Sequence, residues 1–317
     1  MIFFIYISSC SPNLKFYEVL QMKKQIYFGS FCGIMTGICW GVSGVFGQFL
    51  FETRDVQTAW LVPIRLLTSG ILLFLYQFFN NREELLALPK QKKDFLQTII
   101  AGIFGTMMFQ FTFFKAVQTS NAGTATVLQY LCPVFVMIYV CCRTRKLPNR
   151  KETLSIVLAL AGIFLISTHG NLGTLTMTPE ALFWGLFCAF SMFTNTVLPE
   201  SLYKKYSSMT IIAWAFIFGG MVLSLIFKPW NYSVKIDLPV IISLFFIIIG
   251  GSVAAYLFYA NAIKRIGPSK ASIFSTSEPI AATTLSAVWL GTSFMGIDLI
   301  GFALILSVVF ILSTGKE

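Results

Sequence analysis

The sequence predicts an all-α integral membrane protein: ten transmembrane helices as two inverted five-helix repeats, with the N- and C-termini cytoplasmic. Three observations support this prediction, namely the composition, the distribution of basic residues and an internal repeat. Of the 317 residues, 56% are hydrophobic and only 11% are charged, whereas a soluble protein carries roughly 25% charged residues. This composition excludes a soluble enzyme.

Ten apolar windows divide the chain, and each is bounded by charged residues, proline or glycine. A helix needs about 20 apolar residues to cross a bilayer, so ten helices leave only short connections and no large extramembrane domain. The windows span about 27–49, 57–79, 95–117, 121–142, 152–168, 180–198, 209–227, 239–263, 270–290 and 294–314.

Charges, glycines and prolines mark where these helices begin and end. Lys23 and Lys24 precede the first window, Pro179 precedes the sixth, and Gly291 follows the ninth. Tight turns join the third window to the fourth and the eighth to the ninth. Membrane helices tolerate interior glycine and proline because neighbouring groups satisfy the backbone that these residues free. Interior positions of this kind are Gly37, Gly41, Gly44, Pro133, Gly250, Gly251 and Pro279.

The lysines and arginines are divided unevenly between the two sides of the predicted bundle. With a cytoplasmic N-terminus, most of them fall in segments on the inside. Basic residues collect in cytoplasmic loops, so this division favours an even number of helices with both termini inside. It also explains the net charge of +10 without nucleic acid. The basic residues on the outside are Arg54, Lys115, Lys228 and Lys235.

An internal repeat relates the two halves of the chain. With a shift of 146 residues, Pro133 aligns with Pro279 and Ala125 with Ala271, and the first helices of the halves align with a shift of 148. The repeats occupy 27–170 and 180–314. Each has five helices, an odd number, so the two repeats lie in opposite orientations, as in secondary transporters that bind substrate between inverted repeats.

Residues 1–26 form an N-terminal extension. The apolar run at 2–7 is too short to span a membrane and lacks the basic segment that opens a signal peptide. Met22, in contrast, stands directly before the first basic pair and the first window. We therefore hypothesise that residues 1–21 are an artefact of the chosen start site.

Four stretches resemble a known family. SNAGTATVLQYLCPVF (120–135) and GPSKASIFSTSEPIAATTLSAVWLG (267–291) resemble the repeated signature of EamA-type permeases in the drug/metabolite transporter superfamily. ICWGVSGVFGQ (38–48) and THGNLGTLTMTPEALFWG (168–185) are similar to the YicL-like members of that branch. The resemblance covers about 27–314. It implies two EamA-type repeats that form a permease for small metabolites, often moved outward, with a cavity lined by helices 1, 3, 4, 6, 8 and 9. Thr292 stands where many relatives have glutamate, so it is assigned no role.

Glu278 is the strongest candidate for a functional residue. It lies about eight residues into the ninth window. A charge inside the membrane costs at least about 2.5 kcal/mol and usually faces a cavity or a partner. We expect Glu278 to carry a proton, which would couple transport to the H+ gradient, or to bind a cation. The alternative is a neutral carboxyl group that hydrogen-bonds to a neighbouring helix.

Arg65, just after Pro63 in the second window, is the other charge expected to be buried. An arginine at this place resembles a family feature. It lies nearer the outer half, from which a long side chain can reach the interface. Pairing with Glu278 or with helix-end carbonyl groups is the alternative. We expect a structural role first and substrate contact second.

The repeat shift pairs further polar residues. Gln110 aligns with Tyr256 on the third and eighth windows, and Gln129 aligns with Ser275 on the fourth and ninth. The spacing places Ser275 on the same helix face as Glu278. We expect these residues to line a polar cavity between the repeats; hydrogen bonding between helices without any ligand is the alternative. Weaker candidates, on the first and sixth windows, are Trp40, Ser43 and Asn195.

Several chemistries have no basis in the sequence. The single histidine, His169, falls at an outer helix end, and neither a G-x-x-x-x-G-K-[ST] loop nor a G-x-S-x-G motif is present. The seven cysteines lack metal-ligand spacing. We therefore expect no enzymatic activity, no catalytic residue, no metal and no cofactor.

The predicted function is that of a permease, a secondary transporter of a small polar metabolite that works by alternating access. The family resemblance favours export of amino acids or related amines across the cytoplasmic membrane of a bacterial cell, in which the protein is multi-pass. The expected partners are the small-molecule substrate and the lipid bilayer, and not nucleic acid. The apolar fifth and tenth windows leave open whether the protein forms a homodimer.

Two other functions also stay open. A flippase for a lipid-linked substrate would need a lateral groove, and relatives in the superfamily move lipid-linked sugars. A non-transporting membrane partner protein would instead tolerate apolar residues in place of Glu278 and the paired polar residues.

Overall fold

The computed structural model describes residues 12–145, 147–169 and 177–313, with side chains from Lys24 onward except those of Ser269 and Ser313. These residues form long helices with short connections, and none of them lies in a β-strand. The long helices are α1 (Pro12–Arg54), α2 (Thr58–Asn80), α3 (Lys92–Thr119), α4 (Ala122–Thr144), α5 (Arg150–Thr168), α6 (Pro179–Val197), α7 (Ser208–Phe227), α8 (Leu238–Ile266), α9 (Pro268–Ser275 and Ser277–Leu290) and α10 (Gly296–Ser313). Shorter helices in the connections are Arg82–Ala87, Leu88–Lys90, Glu200–Tyr203 and Pro229–Asn231.

The predicted all-α fold is confirmed. Within the described residues, seven helices are long and apolar enough to cross a membrane, namely α1 from Lys24 onward, α2, α3, α4, α5, α7 and α8. Helix α6 is not among them, α9 is interrupted, and α10 supplies a shorter apolar helix, Gly296–Leu312. Ten spans and cytoplasmic termini therefore stay predictions.

Helix α1 begins at Pro12, well before the predicted start of the first window near residue 27. The apolar window marks only the part of a helix suited to lipid, whereas the backbone hydrogen bonds continue into the polar residues before it. The hypothesis of a start at Met22 concerns residues 1–11 as well, which lie outside the described residues. The predicted end of the first repeat, at 170, also lies outside them, whereas the predicted start of the second, at 180, lies in α6.

Polar caps fix where several helices begin. The Asn121 side chain accepts a hydrogen bond from the Thr124 N–H of α4 (2.8 Å), and the Asp237 carboxylate accepts one from the Val240 N–H of α8 (3.1 Å). Such caps satisfy backbone donors that a helix leaves free at its start. Gly267, with a φ of +80°, makes the turn from α8 into α9, a conformation that glycine adopts at little cost.

Irregular turns occur at matching places in the two halves. Helix α3 widens into a π-helical segment at Gly102–Met107, and α8 does so at Phe246–Ala254. Helix α4 breaks after Gln129 and α9 breaks after Ser275. A shift of 146 residues superimposes both pairs, so the sequence repeat corresponds to a repeat of backbone irregularities.

Contacts between helix ends define two ends of the bundle. At one, the Lys205 ammonium pairs with the Asp94 carboxylate (2.9 Å), and the Tyr206 hydroxyl donates to the same carboxylate (3.0 Å). Burial and this acceptor raise the pKa of Tyr206, so its hydroxyl remains a donor at neutral pH. We call this the basic end. At the opposite end, Arg54 pairs with Asp237 (3.2 Å).

Close packing of α1 on α9 depends on glycine. A Cβ atom at Gly37 would lie 2.2 Å from the Ser277 hydroxyl oxygen and 2.5 Å from the Ser275 carbonyl oxygen. One at Gly41 would lie 2.7 Å from the Glu278 carbonyl oxygen. Small residues let membrane helices approach closely, and here they bring α1 directly against the break in α9.

We predict that Gly37→Ala destabilises the protein by about 1–3 kcal/mol, the usual cost of overpacking, because the new methyl group meets backbone as well as a side chain. Thermal unfolding of the purified protein in detergent measures this as a lower midpoint temperature. Gly296→Ala is the control, since a Cβ atom there meets nothing within 4 Å. Equal midpoints for both variants would contradict the packing described.

Candidate functional site

Arg65 lies in α2 with only 3% of its surface exposed. Its Nε–H donates to the Ser252 hydroxyl (3.0 Å), Nη1 donates to the Gln110 Oε1 (2.9 Å), and Nη2 donates to the Gly251 carbonyl (3.2 Å). The guanidinium also lies 4.8 Å from the centre of the Phe114 ring, at cation–π distance. We call these five residues the arginine cluster; it joins α2, α3 and α8.

The π-helical segment of α8 explains how Arg65 finds acceptors. Both Gly251 and Ser252 lie in this segment, and π-helical turns alter the regular backbone pattern, often at functional sites. Gly251 also allows α1 to approach, since a Cβ atom there would lie 2.3 Å from the Ser43 hydroxyl oxygen and 3.6 Å from Arg65 Nη2. The Ser43 hydroxyl is buried and has no hydrogen-bond partner among the described residues.

Three half-buried aromatic rings adjoin the arginine cluster. The Gln110 amide donates to the Tyr256 hydroxyl over a long 3.5 Å. The Trp40 ring lies 5.7 Å from the Tyr256 ring and 5.5 Å from the Tyr259 ring, centre to centre. Rings arranged in this way can bind an organic cation on their faces.

Glu278 is the centre of a second set of contacts, and 5% of it is exposed. The Gln129 amide donates to its Oε1 (2.7 Å), and the Tyr130 hydroxyl lies 3.3 Å from its Oε2. The Tyr130 hydroxyl also donates to the Ser275 carbonyl (3.0 Å). We call Glu278, Gln129, Tyr130 and Ser275 the carboxyl cluster.

Proline places the carboxyl cluster at the breaks of α4 and α9. Pro279 has no N–H, so the Ser275 carbonyl four residues earlier loses its normal helical partner. The Tyr130 hydroxyl replaces that partner, and Tyr130 itself lies in the interruption of α4. The break of one repeat therefore satisfies a backbone group that the break of the other repeat frees.

Helix α1 packs beside both clusters: it contacts α9 through Gly37 and Gly41 and contacts α8 through Ser43. Arg65 and Glu278 bind other partners and do not form an ion pair within the described part of the chain, although they are close enough to interact electrostatically. The Arg65 guanidinium hydrogen-bonds instead to one backbone carbonyl group and to two polar side chains.

The structure thus places the predicted site residues in three groups. Arg65, Gln110 and Tyr256 lie together, with Trp40 and Ser43 beside them. A second group contains Glu278, Gln129 and Ser275, although the Ser275 hydroxyl donates to the Ser272 carbonyl of its own helix (2.9 Å). Asn195 lies apart, where its side-chain oxygen accepts from the Thr106 hydroxyl (2.8 Å).

Gln48 is a buried polar residue that sequence reasoning missed. Its Oε1 accepts from the Ala122 N–H (2.9 Å) and from the Ser286 hydroxyl (2.8 Å). Its amide donates to the Thr292 hydroxyl (3.0 Å) and to the Glu52 carboxylate (2.8 Å). The available signal was a glutamine within the first apolar window. Thr292, to which the sequence assigned no role, is one of its partners.

Two cavities adjoin these helices. One, of about 220 Å³, lies at the opposite end and is lined by polar groups that include Asn121, Thr124 and Asp298. The His169 Nδ1 lies 2.5 Å from the Asp298 Oδ1 there, so this contact links the end of α5 to α10. The other, of about 210 Å³, is almost wholly apolar and lies between α3, α6 and α7; Trp184 and Phe227 are among its walls.

Comparison with known proteins gives consistent matches. The model of the EamA-like transporter family matches residues 27–168 and 180–314. The chain is 32% identical to the uncharacterized inner membrane transporter YicL of Salmonella typhimurium over 280 residues, covering 88% of this chain and 93% of the relative. It is 24% identical to the uncharacterized transporter YetK of Bacillus subtilis, covering 96% and 92%. A solved crystal structure, 15% identical, covers 90% of this chain and 96% of its own with a TM-score of 0.60, which shows the fold alone.

We predict that Arg65→Lys destabilises the protein although it keeps the charge. An ammonium group cannot reproduce the planar fork with which Arg65 reaches three acceptors, so buried acceptors lose their donors, at about 1–3 kcal/mol for each group left unpaired. Thermal unfolding in detergent provides the measurement. Arg82→Lys is the control, because Arg82 is exposed and stacks on the Phe78 ring; an equally small effect at both positions would contradict the prediction.

Proposed function

The chain belongs to the EamA-like transporter family, and we propose that it is a secondary transporter that exports a small polar metabolite, an amino acid or a related amine, by alternating access. The family and the seven candidate spans identify it as a multi-pass membrane protein of the inner-membrane transporter type. The substrate class, the direction and the coupling ion are the parts that we propose.

One observation carries the proposal: within the described residues, a buried arginine and a buried carboxyl group lie close enough to interact electrostatically but do not pair with each other. Arg65 has five N–H donors, and three hydrogen bonds account for three of them. The remaining donors suit the carboxylate of an amino acid. The rings of Trp40 and Tyr256, together with Glu278, suit its ammonium group.

We further propose that α1 to α10 all cross the membrane, with the basic end in the cytoplasm. The matching irregularities of α3 with α8 and of α4 with α9 support two repeats of five helices. Substrate sites of such transporters form where discontinuous helices of the two repeats meet. Both clusters lie at irregular turns, in keeping with a site at that place.

Glu278 is the proposed proton carrier. Tyr130 has one hydroxyl proton, yet its oxygen lies near two acceptors, the Ser275 carbonyl and the Glu278 carboxyl group. A proton on Glu278 would remove this competition, since the carboxyl group would then supply a donor of its own. Gain and loss of that proton would rearrange contacts between α4 and α9. Protonation of Glu278 would thereby be linked to the relative positions of the two repeats.

The apolar cavity between α3, α6 and α7 favours a second candidate function. Its walls, which include Phe111, Trp184 and Phe227, are of the kind that accommodates a hydrocarbon chain. A lipid-linked substrate would place its tail there, and its polar group would lie toward the clusters. Under that function, deletion of the gene changes the lipid composition rather than the metabolites in the medium.

We predict that Glu278→Gln abolishes the pH dependence of transport by proteoliposomes loaded with labelled amino acids and amines. The amide has nearly the same shape but cannot gain or lose a proton in the physiological range, so a proton gradient should no longer drive flux. Glu200→Gln is the control, because Glu200 is exposed and, within the described part of the chain, pairs only with Lys204 one turn away (3.3 Å). Full pH dependence in Glu278→Gln would exclude Glu278 as the proton carrier.

A further inference from the structure

Gln48 joins three helices at the opposite end of the bundle. It is 1% exposed, and both ends of its amide are fully engaged. Its contacts reach the Ala122 N–H at the start of α4, the Ser286 hydroxyl near the end of α9, and the Thr292 hydroxyl just after α9. Because α1 and α4 belong to the first repeat and α9 to the second, these hydrogen bonds tie the two repeats together.

Two of these three partners also contact each other. The Ser286 and Thr292 hydroxyl groups lie 2.7 Å apart, and the Thr292 N–H donates to the Ser286 carbonyl (3.2 Å). A buried amide whose partners separate must either find new ones or leave polar groups unpaired, which is unfavourable away from water. We call this set the glutamine node; it consists of Gln48, Ala122, Ser286 and Thr292. Its hydrogen bonds are therefore expected to form and break together.

Among the described residues, the repeat counterparts of Gln48, Ala122 and Ser286 do not form an equivalent of the glutamine node at the basic end. The counterpart of Gln48, with the shift of 148, is Thr196, whose hydroxyl donates to the Met192 carbonyl of its own helix. With the shift of 146, the counterpart of Ala122 is Pro268, which has no N–H, and the counterpart of Ser286 is Val140, which is 48% exposed. Pro268 has no N–H and Val140 has no hydroxyl group, so these two counterparts cannot make the hydrogen bonds that Ala122 and Ser286 make to Gln48.

We propose that the glutamine node is a one-sided latch: Gln48 holds the opposite end closed, and α1 must release Ala122, Ser286 and Thr292 before that end opens to solvent. The inference rests on the proposed function in one respect, since alternating access requires that end to open. The basic end is held by different contacts between the repeats, among them those of Asp94 with Lys205 and Tyr206, so release of the glutamine node frees the opposite end alone.

Cysteine labelling of the protein in lipid nanodiscs tests this latch. The reporter is Ala282→Cys, because Ala282 is fully buried on α9 one turn below Ser286. A charged maleimide is added, and mass spectrometry of the peptide that contains residue 282 gives the labelling rate, with the native cysteines left in place. We expect Gln48→Ala to raise this rate about tenfold, since it removes several buried hydrogen bonds at once.

Two controls separate opening of one end from loss of structure. A reporter at Ala271→Cys, also fully buried but in the basic-end half of α9, should keep its rate in Gln48→Ala. Thr196→Ala should leave both reporters unchanged. Where Gln48→Ala does not fold, Ser286→Ala and Thr292→Val each remove one partner and should give smaller increases at residue 282.

An unchanged rate at residue 282 in folded Gln48→Ala would overturn the latch, and so would an equal increase at residue 271. The measurement needs no substrate and reaches both faces of the nanodisc. Failure to find transport would therefore refute the proposed function and leave the latch standing, whereas an unchanged rate would refute the latch alone.

Discussion

A guanidinium group buried in a membrane helix must receive its acceptors from the protein, since lipid offers none. Arg65 receives them from a neighbouring glutamine and from a π-helical turn of α8, where Ser252 and the Gly251 carbonyl lie within reach. That requirement fixes the position of α2 against α3 and α8. It also explains why the irregular turn of α8 and the absence of a side chain at Gly251 occur together, next to Ser43 of α1.

The same principle accounts for the carboxyl cluster. Pro279 frees the Ser275 carbonyl, and Tyr130 from the interrupted part of α4 satisfies it while also contacting Glu278. In α8 and in α9, an irregular turn leaves a backbone carbonyl group available, and its partner, Arg65 or Tyr130, comes from the other repeat. Two repeats joined in this way can exchange partners as they move, and this gives the proposed transport cycle a structural basis.

Composition and periodicity predicted the all-α membrane fold, and short signatures predicted the family. Both predictions succeed because they depend on residues that are close together in the sequence. The shift of 146 residues also predicted which polar residues correspond, and Gln110 and Tyr256 do lie together. Sequence patterns did not predict three features. Two of them depend on side-chain orientation: the Ser275 hydroxyl bonds to its own helix, and Asn195 lies apart from both clusters. The contacts of Gln48 depend on residues distant in sequence, which no local pattern reveals.

The central claim is that one small amino acid or amine binds between the arginine and carboxyl clusters. Ligand that binds only the folded protein raises its unfolding temperature, so a thermal-shift screen of such compounds on the purified protein tests the claim most directly. The account predicts that at least one compound raises the midpoint, and that both Glu278→Gln and Tyr256→Phe abolish the shift while remaining folded. A shift that survives both substitutions, or a screen in which no compound stabilises the protein, would contradict it.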